Sequence, residues 1–150
     1  MAAPQDHPYR LVVTASSSLP VRTLDEAIGT AASDDASVAV VIPAVLPPTL
    51  PIWAAPARIL DRVSRLRRAA RERIRALDIE GSVEIVPCRS VHAAIAGLCG
   101  ERPPVEIVIA GSAPWRLRRA IRGLAPVTVV PVRRQARRPR LLDGRAVLER

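Results

Sequence analysis

An apolar run, Val105 to Ala110, enters Gly111-Ser112 and then a segment from Trp115 to Arg122 that carries arginines at 116, 118, 119 and 122. Strand, Gly-Ser turn and helix are the parts from which α/β proteins assemble phosphate sites. Glycine lets backbone N–H groups approach an anion, and a helix N-terminus adds partial positive charge. A second polar turn, Thr14-Ala15-Ser16-Ser17-Ser18, follows the apolar run Arg10 to Val13. In an open parallel sheet two such turns converge at the carboxyl ends of the strands where the winding direction reverses. The candidate ligand contacts are therefore Thr14, Ala15, Ser16, Ser17, the end of strand two near Ile42, and Gly111, Ser112, Ala113, Trp115 and Arg116. Pro114 offers no N–H but fits the first turn of a helix. That leaves Ser112, the N–H groups of Trp115 and Arg116, and the side chains of Arg116 and Arg119 as donors. Such donors suit a monophosphate or an adenine nucleotide, ATP or AMP, held weakly.

Little else in the chain offers a reactive group. Lys is absent, which excludes a Walker-type phosphate lysine and Schiff-base chemistry. His92 follows a helix-capping serine and reads as a surface or packing residue, while His7 lies in the N-terminal tail. Cys88 and Cys99 lack CxxC spacing, so they read as small buried apolar residues and imply a reduced, cytoplasmic protein. Ser16 to Ser18 have neither a His partner nor a nucleophile-elbow context. The expectation is a protein that is not an enzyme and holds no metal.

All 23 basic residues are Arg and the net charge is +9, which points to an acidic partner. Arg118, Arg119, Arg122, Arg133, Arg134, Arg137, Arg138 and Arg140 fall between Leu117 and Leu142 without a carboxylate among them. Such a basic patch would bind a nucleic-acid backbone in a weak, salt-dependent way. No aromatic residues interleave with it, as a platform for stacked single-stranded bases requires.

These groups need elements to position them. The length of 150 residues suits one core, and that core is aliphatic because Phe is absent and the aromatics are Tyr9, Trp53 and Trp115. Arg10 to Val13 reads as a strand, and Val21, Leu24, Ala27, Ile28, Ala31 and Ala32 recur at helical spacing. Ser37 to Pro43 is a β-branched strand ended by proline, and a Pro-rich loop follows; prolines at 43, 47, 48, 51 and 56 exclude a membrane-spanning helix there. Ala57 to Leu77 places Ile59, Val63, Leu66, Ala70, Ile74 and Leu77 on one stripe, a long helix closed by Gly81. Ser82 to Val86, a helix from Val91 to Leu98 capped by Ser90, the Val105 strand, the Trp115 helix and a last strand over Pro126 to Val132 complete the order β-α-β-α-β-α-β-α-β. Apolar strands separated by helices imply a three-layer α/β/α sandwich, Rossmann-like, around a five-stranded parallel sheet. The expected division is a disordered tail over 1–8, a domain over 9–133 and a basic tail over 134–150 with a short helix around Ala146 to Leu148.

The order of elements, with "YRLVVTASSS", "VEIVIAGSAP" and "PVTVVPVRR" in sequence, resembles the universal stress protein family over residues 9–133. The resemblance implies an adenine nucleotide alpha hydrolase-like fold with strand order 3-2-1-4-5. It also implies a homodimer paired through the last strand, here Val127, Val129, Val130 and Val132. The family's nucleotide-binding branch carries Asp directly after strand one, where Ala15 stands, and a second loop glycine where Pro114 stands. The interval to the last strand is shorter by about three helical turns. The resemblance thus implies a regulatory or protective protein of the stress response with nucleotide binding weakened or lost. The alternatives are adenine-nucleotide binding by a divergent Gly-Ser loop and an arginine-mediated nucleic-acid module.

Overall fold

The computed structural model describes residues 7–133, with the backbone of 141–142 and 145–146. Its elements run β1 (Tyr9–Thr14), α1 (Val21–Ala31), β2 (Ser37–Val45), α2 (Ala57–Ala76), β3 (Gly81–Cys88), α3 (Val91–Glu101), β4 (Glu106–Ala110), α4 (Trp115–Ile121) and β5 (Val127–Val130). These five strands are parallel in the order β3-β2-β1-β4-β5, the doubly wound arrangement that the family resemblance implied. Residues 1–6 of the expected N-terminal tail lie outside the described residues, as do Arg134, Arg137, Arg138 and Arg140.

The strands alternate between two cores. Val12, Val40, Ile42 and Val108 face Leu24 and Ile28 of α1 and Val63, Leu66 and Ala70 of α2. Leu11, Val13, Val41, Ile107 and Ile109 face Ile95 and Cys99 of α3 and Ile121 of α4. Period-two alternation along each strand makes both faces apolar, so each face must be covered by helices. The cover is unequal, because α2 has 20 residues and α4 only seven, about 10 Å of helix.

Three boundaries differ from the sequence expectation. Strand β2 does not stop at Pro43 but continues to Val45. Pairing with β1 ends at Val13↔Val41 while pairing with β3 runs on to Val45↔Cys88, so Pro43 sits where one side of the strand has no neighbour. There its missing N–H breaks no ladder. Helix α2 is closed not by Gly81 but by Asp78, at φ 52. The Asp78 N–H donates to the Arg75 carbonyl at 3.1 Å and the Ile79 N–H to the Ile74 carbonyl at 3.3 Å, the paired bonds of a left-handed helix end. Gly81 instead opens β3, where a Cβ would stand 2.8 Å from the Val38 carbonyl oxygen. Of the helix expected around Ala146 to Leu148 only Ala146 is described, and it lies in an antiparallel pair, β6 (Leu141–Leu142) with β7 (Arg145–Ala146); residues 147–148 lie outside the described residues.

Candidate functional site

The expected crevice lies where β1 and β4 diverge, and the two turns do meet there. The Ala15 N–H donates to the Ala110 carbonyl at 2.9 Å, and the Gly111 N–H donates to the Val130 carbonyl at 2.8 Å. Gly111 has φ 111, a conformation that only glycine adopts without strain. A Cβ at Gly111 would stand 3.0 Å from Leu19 Cδ1 and 3.3 Å from Ala15 Cβ. Leu19 is 3% exposed, so an aliphatic side chain is packed down onto the glycine turn. Ala15 and Ala113 pack against the α3/α4 core. Hydrocarbon from Leu19 and Ala15 therefore packs against the Gly111 turn.

The polar candidates are placed differently from one another. Thr14 is buried on the other side of β1, and its Oγ1 has no partner among the described residues. Ser16 is exposed and its Oγ accepts from the Ser18 N–H at 3.1 Å, so it closes its own turn. Ser17 is half-buried and Ser112 exposed. Ile42 is fully buried in the α1/α2 core, three residues before the end of β2. Pro114 is the N-cap residue of α4 and gives the helix no side-chain cap. Trp115 is 61% exposed, and the Arg116 guanidinium lies over its ring at 5.7 Å instead of reaching back to the turn.

Cys88 and Cys99 are free and buried, and burial pushes both thiols up from their ordinary value. A thiol held protonated is a poor nucleophile. His92 is exposed on α3, whose N-terminus is capped as expected by Ser90, with Oγ accepting from the Ala93 N–H at 3.1 Å. Among the described residues no cluster of His, Cys, Asp and Glu could hold a metal ion, and no helix is long and apolar enough to cross a membrane.

A second concavity unites residues that the sequence reading had kept apart. Trp115, Arg118, Arg119 and Arg122 of α4 and the following turn face Val127 and Val129 of β5 across a groove of about 940 Å³. It exists because α4 is too short to cover the β5 end of the sheet. The expected strand edge is accordingly redistributed. Val127 and Val129 floor the groove, Val130 is buried against the α1 side, and Val132 lies beyond the strand, 45% exposed. The expected continuous arginine stripe is also divided. Arg133 pairs with Glu26 of α1 at 2.8 Å, on the opposite face of the sheet from the α4 arginines. The sequence signal for the groove was the short interval between Gly111 and the last strand.

No protein-family model matches the chain, and no curated protein matches it. Solved structures do. A member of the universal stress protein family from Burkholderia pseudomallei superposes with a TM-score of 0.61 at 18% identity, covering 87% of this chain and all 100% of that one. A universal stress protein in complex with cAMP superposes with a TM-score of 0.50 at 18% identity, covering 84% of this chain and 97% of that one. With the strand order and the two-sided helical cover, these likenesses show that the chain has the α/β fold of the universal stress proteins.

Proposed function

We propose that this chain is a universal stress protein-like regulatory or protective protein, cytoplasmic and not catalytic, in which the nucleotide crevice is closed. The observation that carries the reading is the packing of Leu19 and Ala15 onto Gly111. An anion at this turn needs free backbone N–H groups, and the Gly111 N–H is already given to the Val130 carbonyl while Leu19 and Ala15 crowd the glycine itself. Ala15 supplies no carboxylate for a ribose, and Pro114 removes one N–H from the start of α4. The non-catalytic reading is supported by the exposed, isolated His92 and by two buried thiols. The open β5 edge supports a partner on that side of the sheet. A second copy paired there by a two-fold axis would set the α4 arginines of the two copies against each other.

The experiment is to purify the protein through a high-salt wash, denature it and quantify released nucleotide by chromatography. Calorimetric titration with ATP, ADP, AMP and cAMP follows; the cyclic nucleotide is included because one structural neighbour is a cAMP complex. No released nucleotide and no heat of binding support a closed crevice. Stoichiometric nucleotide refutes it and makes the Gly-Ser-Ala-Pro loop a working site.

A further inference from the structure

The groove between α4 and β5 combines an open strand edge with a basic wall. We infer that it docks an acidic peptide segment in extended conformation, which adds to β5 as a further strand and sets alternate carboxylates against Arg118 and Arg122. The site is separate from the crevice, and its test is independent of whether a nucleotide binds there.

Four features of the groove carry this. Strand β5 ends the sheet order, so among the described residues one of its sides has no neighbouring strand. The Ile107 N–H donates to the Pro126 carbonyl at 2.8 Å and the Gly111 N–H to the Val130 carbonyl at 2.8 Å, so the even-numbered residues face β4. By alternation the N–H and C=O groups of Val127 and Val129 point outward, ready to pair with a peptide backbone. The same two valines turn their side chains to the α4 face and floor the groove. Arg118 lies on α4 and Arg122 caps its C-terminus four residues on, still in helical conformation, a rise of about 6 Å. Alternate residues of an added strand repeat every ~6.6 Å on one face, which matches that spacing. Among the described residues no carboxylate lines the groove to neutralise these arginines, so the complementary charge is left to the partner.

Other occupants fit less of this. A nucleic acid would satisfy the arginines but leave the edge N–H groups and the valine floor unused. A second copy would pair the edge but add like charges. An extended acidic peptide uses the edge, the floor and the arginines together, as strand-addition recognition does: main-chain bonds give affinity and alternate side chains give specificity.

The test uses the full chain and a fluorescein-labelled peptide of about eight residues alternating Glu and Val, long enough to span β5 at ~3.3 Å per residue. Saturable one-to-one binding is expected, with a change in the fluorescence of Trp115 read in a Trp53→Tyr variant. Grouping the Glu residues at one end should weaken binding about tenfold or more, as should Arg118→Glu with Arg122→Glu. N-methylating the alternate residues whose N–H groups face β5 should abolish binding, and methylating the other set should leave it unchanged. These peptide comparisons use the unaltered protein and remain decisive if the charge-reversed variant does not fold. Failure of the alternating peptide to bind, equal binding of the grouped isomer, or equal effects of the two methylation patterns overturns the proposal. Duplex DNA taking the groove in place of the peptide, or a dimer in sedimentation that excludes it, overturns it as well.

Discussion

Replacing Gly111 with Ala tests the closed crevice through stability, without any ligand. Two costs are legible in the structure. The backbone stands at φ 111, where a Cβ-bearing residue is strained by about 1–3 kcal/mol. The new methyl would lie 3.0 Å from Leu19 Cδ1 and 3.3 Å from Ala15 Cβ, well inside ordinary carbon–carbon contact. Overpacking of this kind costs about 1–3 kcal/mol, and toward the lower end here because the nearer atom is the tip of a side chain. The sum is roughly 2–4 kcal/mol, and it would lower the melting temperature by roughly 5–15 °C for a domain of this size. Urea denaturation monitored by circular dichroism measures it. The decisive form is a double-mutant cycle with Leu19→Ala, which alone should cost about 2–5 kcal/mol. In that background the methyl has space, so Gly111→Ala should retain only its backbone cost and the coupling should be about 1 kcal/mol or more. A Gly111→Ala variant as stable as the parent would remove the positive-φ turn from the argument. A cost that is the same with and without Leu19 would show that this leucine does not fill the crevice.

Two further outcomes follow from Thr14 on β1 and from Asp35 in the turn before β2. Thr14 buries a hydroxyl with no partner among the described residues, so the near-isosteric Thr14→Val should stabilise the fold by about 1 kcal/mol in the same denaturation assay; a loss of stability would show that the hydroxyl is satisfied. Asp35 is held below the usual carboxylate range by the Ser33 hydroxyl and then by the Arg10 guanidinium, at 3.1 Å. Its contribution is present above the unfolded-state pKa, about 4, and is lost as pH falls through the lower folded-state value. Asp25 is shifted the other way by burial, and its contribution grows as pH falls. Asp35→Asn should therefore flatten or reverse the acid limb of the stability curve, measured as the urea midpoint from pH 6 downward; an unchanged slope would reject the Asp35 linkage.

Much of the architecture could be read from periodicity. The stripe from Ile59 to Leu77 became α2, Ser90 became a cap, and the apolar runs became parallel strands, whose order is the one that the family resemblance implied. Such signals are local: burial on one side imposes period 3.6 on a helix, and burial on two sides makes a strand apolar throughout. Boundaries were less legible where a residue's meaning depends on its neighbours in space. Pro43 reads as a stop, yet it is harmless beside a strand that has already ended. Gly81 reads as a helix end, yet it serves the close approach of Val38.

By itself the sequence determined the fold class, the aliphatic cores, the arginine excess and the meeting of two turns at the head of β1 and β4. Only the tertiary structure decided what those turns enclose and what the arginines face. Leu19 is separated from Gly111 by most of the chain, and its closure of the crevice is a contact that no local pattern encodes. Trp115, the arginines of α4 and the valines of β5 each had a separate reading as ligand contact, basic patch and strand edge. They became one groove because a seven-residue helix leaves the edge of the sheet half-covered. Hydrophobic periodicity reports which residues must leave water, whereas a site depends on which side chains remain beside one another once they have done so.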